Sequence, residues 1–238
     1  TTGSEVSADS PLMEAGLDSL GATEFRAVAT SATREATNRD ELVECFQQTL
    51  GIDIHVISGM EEARLIYMGV ISEAKLDNGD NALLVDIGGG STEMIIGNQQ
   101  QHLFMHSVKV GAIRMTNQYC DPKDTGPVSE KQFEKIKAGV RNEAIRTLSK
   151  LKQFPFARLI GSSGTIQVLV ELAHRLNADQ PVGKDDRVTA AQVRQAIRQI
   201  LALSQQQRIN LPALNVRRAD IIVGGAASIL YIRFRGRP

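Results

Sequence analysis

The sequence predicts a mixed α/β fold, and three observations carry the prediction. Segments of strand composition alternate with segments of helical period. Three strand-like runs, Ala82–Ile87, Thr92–Ile96 and His102–Val108, follow one another through tight turns as a meander. Glycine turns stand at strand ends, at 88–90 and 161–164, the place where open α/β folds bind their ligands.

Taken in order, residues 1–10 are small and polar and read as a tail. Phe25–Ala29 reads as a short strand. Asn38 with Glu41 three residues on reads as a capping box opening a helix to Leu50, and Gly51 as its stop. Ile52, Ile54, Val56 and Ile57 suggest a buried strand, and Met60–Ala74 a second helix. The turn cluster 77–80 leads into the meander, whose last two strands join at Gly97-Asn98. Ser129 with Gln132 caps a helix whose apolar face is Phe133, Ile136, Val140, Ile145 and Leu148. Thr189 with Gln192 caps another, carrying Val193, Ile197, Ile200 and Leu203. Between them, Ala157–Ile160 reads as a strand. Ala219–Val223 reads as a last strand, Gly224-Gly225 as a turn and Ala226–Ile232 as a helix.

Composition sets the outer bounds. The 238 residues suffice for one large domain or two lobes. Apolar residues at 42% and charged residues at 23% are ordinary for a globular chain. Lys+Arg and Asp+Glu are equal at 27 each, which excludes a generally basic coat for a nucleic-acid polymer but allows a local basic cleft. With no Trp and 4% aromatics, base or sugar stacking is disfavoured. Cys45 and Cys120 lie far apart, in no metal-ligand spacing, and read as reduced thiols of a cytoplasmic protein. No run approaches the ~20 apolar residues of a membrane span, and no signal peptide is visible. The chain lacks an initiating Met and reads as a processed or excised fragment.

The sharpest motif is VDIGGGSTE, Val85–Glu93. Three glycines in a strand-to-strand turn remove every Cβ, so backbone amides can close on a phosphate. Asp86 and Glu93 bracket the turn, and two carboxylates beside a phosphate call for a cation, here Mg²⁺. SGMEEAR, Ser58–Arg64, opens a helix with two acids; these suit the helix dipole and by themselves name no chemistry. GSSGT, Gly161–Thr165, reads equally as a phosphate contact at a helix start or an ordinary turn. Arg34 reads as a surface arginine or a phosphate clamp. Lys135, Lys137, Arg141, Arg146, Lys150 and Lys152 offer positive charge along one helix.

In order, AVATSATREA, ISGMEEARLIYMGV, LLVDIGGGSTEMIIG, VGAIRMT, LIGSSGTIQ and RADIIVGGAASIL resemble the exopolyphosphatase / guanosine pentaphosphate phosphohydrolase (Ppx/GppA) family over about 27–231. The resemblance implies an actin-like, ribonuclease H-like fold of two lobes, here 27–65 as a partial first lobe and 66–238 as the second. It implies Glu62 as catalytic base. It implies Asp86 and Glu93 as Mg²⁺ positions, and Arg34, Gly88, Gly89, Gly90, Ser91, Ser163 and Gly164 as phosphate contacts. The implied substrate is polyphosphate or guanosine pentaphosphate, with no membrane partner and homodimerisation left open.

Two departures qualify the resemblance. The family's first phosphate loop, DxGSNSxR, is absent, and the chain stops before the family's closing strand, so the expectation is impaired turnover. In place of the loop, residues 9–26 (within a 1–26 tail) resemble a fragment of a polyketide-synthase acyl carrier protein, with Ser19 at the phosphopantetheine position. About 20 residues cannot bury the face of such a helix, so the segment reads as a fusion. The functional alternatives are a non-catalytic phosphate- or nucleotide-binding module and a carrier segment using Ser19.

Overall fold

The computed structural model describes residues 26–77, 79–178, 181–183 and 187–235. Ser19 and the carrier-like segment lie outside the described residues. The chain divides into two compact units, one ending at Ser58 and the other beginning at Gly59.

The first unit holds β1 (Ala27–Ala29), α1 (Ser31–Glu35), α2 (Arg39–Leu50) and β2 (Ile54–Val56). The strands pair in parallel, Ala27 opposite Ile54 and Ala29 opposite Val56. Asn38 stands at the N-cap of α2, but its side chain makes no capping bond, so the expected box with Glu41 is not formed. The C-terminal stop is formed: Gly51 is left-handed (φ 64°) and its amide donates to the Gln47 carbonyl.

The second unit begins with α3 (Gly59–Glu73), followed by β3 (Ala82–Ile87), β4 (Thr92–Gly97) and β5 (His102–Val108). The meander is antiparallel, and β6 (Arg158–Gly161) joins parallel to β3, giving the order β5-β4-β3-β6. Parity assigns the faces. Ala82, Leu84 and Ile95 pack with Ala63 and Tyr67 of α3. Leu83, Val85, Ile87, Met94 and Ile96 pack on the other side. That side is covered by α4 (Ala112–Tyr119), α5 (Glu130–Leu151), α6 (Gly164–Ala178), α7 (Ala190–Ala202) and α10 (Ile222–Arg235); α8 (Gln205–Arg208) and α9 (Val216–Ala219) lie between the last two. β3 is apolar on both faces because helices cover both.

Three further expectations change. Ile145 is 47% exposed, because five residues past Val140 it has rotated off the buried face of α5; Ala144 takes its place. Ser129 caps α5 as expected, but the Gln132 side chain donates to the Tyr119 carbonyl instead of closing the box. Residues 219–223 form no strand, and Gly224-Gly225 no turn. Both glycines lie inside α10 because neighbours press against them. A Cβ on Gly224 would fall 2.5 Å from the Ala112 carbonyl oxygen, and one on Gly225 2.3 Å from Thr165 Cγ2. Two helical glycines cost about 2 kcal/mol of propensity, offset here by the close approach of α10 to α4 and α6.

Candidate active site

The glycine turn between β3 and β4 is held from one side by α4. The Ala112 amide donates to the Gly88 carbonyl (2.8 Å) and the Arg114 amide to the Gly89 carbonyl (3.0 Å). Arg114 Nε donates to the Gly90 carbonyl (2.7 Å). Amides that would be orphaned at the start of α4 are thus satisfied by the turn. In a planar trans peptide the N–H points opposite to the C=O. The amides of Gly89, Gly90 and Ser91 therefore point away from α4, as a phosphate cradle requires. No residue of this turn has positive φ, and a Cβ on Gly88 would meet only the Ser91 carbonyl oxygen at 3.4 Å, one on Gly89 only the end of the Ile113 side chain at 2.9 Å. A Cβ on Gly111, at the start of α4, would lie 2.2 Å from the Gly89 carbonyl oxygen.

Asp86 and Glu93 are direct cross-strand partners. By parity with Leu84 and Ile95 they share the face covered by α3, whose first turn carries Glu62. Glu93 is 1% exposed. Burial pushes its carboxyl up to about 7, with repulsion from Glu62 and Asp86 adding to the rise; hydrogen bonds from Ser107 and Ser91 oppose it. Burial also raises Asp86, opposed by the Ser162 hydroxyl, which donates to Oδ2. Ser107 Oγ donates to Glu93 Oε1 at 2.7 Å. Glu61 turns instead to Arg64, with which it pairs at 2.6 Å.

Two carboxylates that repel each other in a buried setting form an oxygen donor set short of positive charge, which fits a divalent cation. Among the described residues no group of three or more His, Cys, Asp and Glu closes on one point. Mg²⁺ does not need such a cage, since it binds through one or two carboxylates plus water and phosphate oxygens.

The turn after β6 completes this end of the sheet. The Ser162 amide donates to the Val85 carbonyl, and Ser163 caps α6 by accepting from the Ile166 amide (3.3 Å). Arg218 lies against Gly164, where a Cβ would fall 1.7 Å from its Nη1. A guanidinium beside a helix N-terminus is a pair of features that attracts anions. A cavity of about 680 Å³ opens beside it, lined among others by Gly161, Gly164, Gln167, Glu171, Val182 and Arg218.

The structure thus brings together Glu62, Asp86, Glu93, Gly88–Ser91 and Ser163-Gly164 within the second unit. Arg34 belongs to the first unit, where its Nη1 donates to the Ile57 carbonyl (2.8 Å). The basic residues of α5 ride on a helix that covers the opposite face of the sheet, so they do not join the carboxylates. Sequence reasoning missed Ser107, Ser162, Arg114 and Arg218. Ser107 was within reach of a hairpin register count, but the irregularity at Ile96/Gly97 hides the register.

The fold has counterparts among known proteins. An exopolyphosphatase from Cytophaga hutchinsonii superposes with a TM-score of 0.84 at 24% identity, over 95% of this chain and 72% of that one. An exopolyphosphatase-like protein gives 0.83 at 28% identity, over 94% and 70%. A Ppx/GppA family member from Aquifex aeolicus gives 0.76 at 24% identity, over 95% and 71%. The mixed α/β fold expected above is therefore the observed one, shared with these proteins. The Ppx/GppA phosphatase family profile matches residues 13–233, starting inside the carrier-like segment and spanning every site element described above. With the glycine turn, the paired carboxylates and the α3 acid falling inside one continuous match, the chain belongs to the Ppx/GppA phosphatase family.

Proposed function

We propose that this chain hydrolyses the terminal phosphoanhydride bond of polyphosphate or guanosine pentaphosphate, assisted by Mg²⁺. One observation carries the reading: Asp86 and Glu93 are cross-strand partners on the face covered by α3, whose first turn carries Glu62, beside three amides that face away from α4. The terminal phosphate lies on the amides of Gly89, Gly90 and Ser91. Asp86 and Glu93 would hold Mg²⁺, which supplies charge neutralisation to the phosphate oxygens. Glu62 accepts a proton from a water molecule as its oxygen bonds to the terminal phosphorus. The bond from that phosphorus to the bridging oxygen breaks, and the bridging oxygen leaves with the shortened chain. Arg218 and the start of α6 add positive potential for the leaving phosphates.

We further propose a cytoplasmic setting, in which thiols such as Cys45 and Cys120 stay reduced. No helix among the described residues is long and apolar enough to cross a membrane.

The test is phosphate release from long-chain polyphosphate and from guanosine pentaphosphate side by side, with Mg²⁺ and with a chelator. Glu62→Gln should lower kcat by about 10²–10⁴-fold while substrate still binds. Binding without release by the parent chain would favour a non-catalytic binding module. A Glu62→Gln rate equal to the parent's would remove Glu62 from the mechanism.

A further inference from the structure

Level with the two carboxylates, a row of four side chains crosses the whole sheet: Ser107, Glu93, Asp86 and Ser162. Glu93 pairs with Ser107 on one side and Asp86 on the other. Ser162 follows Gly161, the partner of Val85, and so stands beside Asp86. The two acids are central and the two hydroxyls flank them. Each hydroxyl donates to the carboxylate next to it, Ser107 to Glu93 Oε1 and Ser162 to Asp86 Oδ2.

We propose that Ser107 and Ser162 are positioning residues that orient Glu93 and Asp86 for a divalent cation. The proposal rests on the reading that these two carboxylates hold one. Like charges directly opposite on neighbouring strands repel, and unrestrained carboxylates would rotate apart. A serine has one proton to give, so each flanking hydroxyl engages one oxygen of its neighbour. Ser91 also hydrogen-bonds Glu93, but a carboxylate offers about four lone-pair sites, so each acid keeps sites with which to ligate. A lysine or arginine at either flank would neutralise a carboxylate and weaken its pull on a cation. A hydroxyl orients without neutralising. Partners of this kind, behind the ligands themselves, are typically worth about 10–100-fold in metal affinity.

The test measures Mn²⁺ binding to the full chain by titration calorimetry, without substrate, so that turnover plays no part. Ser107→Ala and Ser162→Ala should each weaken Kd by about 10–100-fold. Ser107→Thr, which keeps the hydroxyl, should bind within about threefold of the parent, and circular dichroism should be unchanged throughout. If the parent binds Mn²⁺ and both alanine variants bind it equally well, the positioning role is wrong while the cation site stands. If Ser107→Thr binds as poorly as Ser107→Ala, the loss is one of packing and the proposal also fails. If the parent binds no Mn²⁺, the assignment of Asp86 and Glu93 to a cation falls, and the positioning role with it.

Discussion

Glu93→Gln keeps the shape of the side chain and an oxygen to accept from Ser107, but removes its ionisation. Burial foremost, with repulsion from Glu62 and Asp86, moves the Glu93 carboxyl from an ordinary 4.5 up to about 7. Between those values the folded protein holds a proton that the unfolded chain has released. Below about 4.5 both states are protonated and the residue has no effect on stability. As pH rises through the window stability falls, and above about 7 the loss is complete and constant. The shift, 7 − 4.5 = 2.5 units, corresponds to about 3 kcal/mol at ~1.36 kcal/mol per unit. In a chain of this length that is roughly 10 °C in Tm. The assay is thermal melting followed by circular dichroism from pH 4 to pH 8 with a chelator present. Parent and Glu93→Gln should melt close together at pH 4, and the variant should gain about 10 °C by pH 8. Mg²⁺ at pH 8 should raise the parent's Tm and leave the variant's where it was. A Tm difference that stays constant across the range would show that Glu93 titrates normally, and would refute the crowded, buried dyad.

Gly111→Ala places a methyl 2.2 Å from the Gly89 carbonyl oxygen and 2.4 Å from the Gly90 nitrogen, and neither backbone atom can swing away. It should cost about 1–3 kcal/mol in denaturant unfolding and, by displacing the phosphate turn, about 10²-fold in kcat/KM for phosphate release. Gly225→Val drives a branched side chain into Thr165, 2.3 Å from the position its Cβ would take. Denaturation should show at least about 2 kcal/mol of destabilisation; a tolerated variant would restore the reading of Gly224-Gly225 as a surface turn.

The central sheet was legible because its signals are local. β3 and β4 begin where the apolar runs begin, and the glycine turn separates them as a sequence of bare residues must. The last helix was misread although its period was present. Ala219, Ile222, Val223, Ala226 and Ala227 are all buried at spacings of three and four, a helical stripe. The Gly-Gly pair masked it, since glycine marks a turn locally and a close crossing only when the neighbouring helices are known.

The candidate site divides along the same line. By itself the sequence determined the acids and glycines, because side-chain chemistry is carried by residue identity: Asp86 and Glu93 around a bare turn, and Glu62 through its motif. Only the tertiary structure decided that Glu62 lies on the same face of the sheet as the other two acids. It alone brought Arg218 against the start of α6 from a segment 54 residues further along the chain. It alone set a serine at each flank of the carboxylate pair. The physical reason is that strand register and helix docking are set by packing of the whole core. A one-residue slip of β5 would send Ser107 to the opposite face, and no local pattern in 102–108 forbids it.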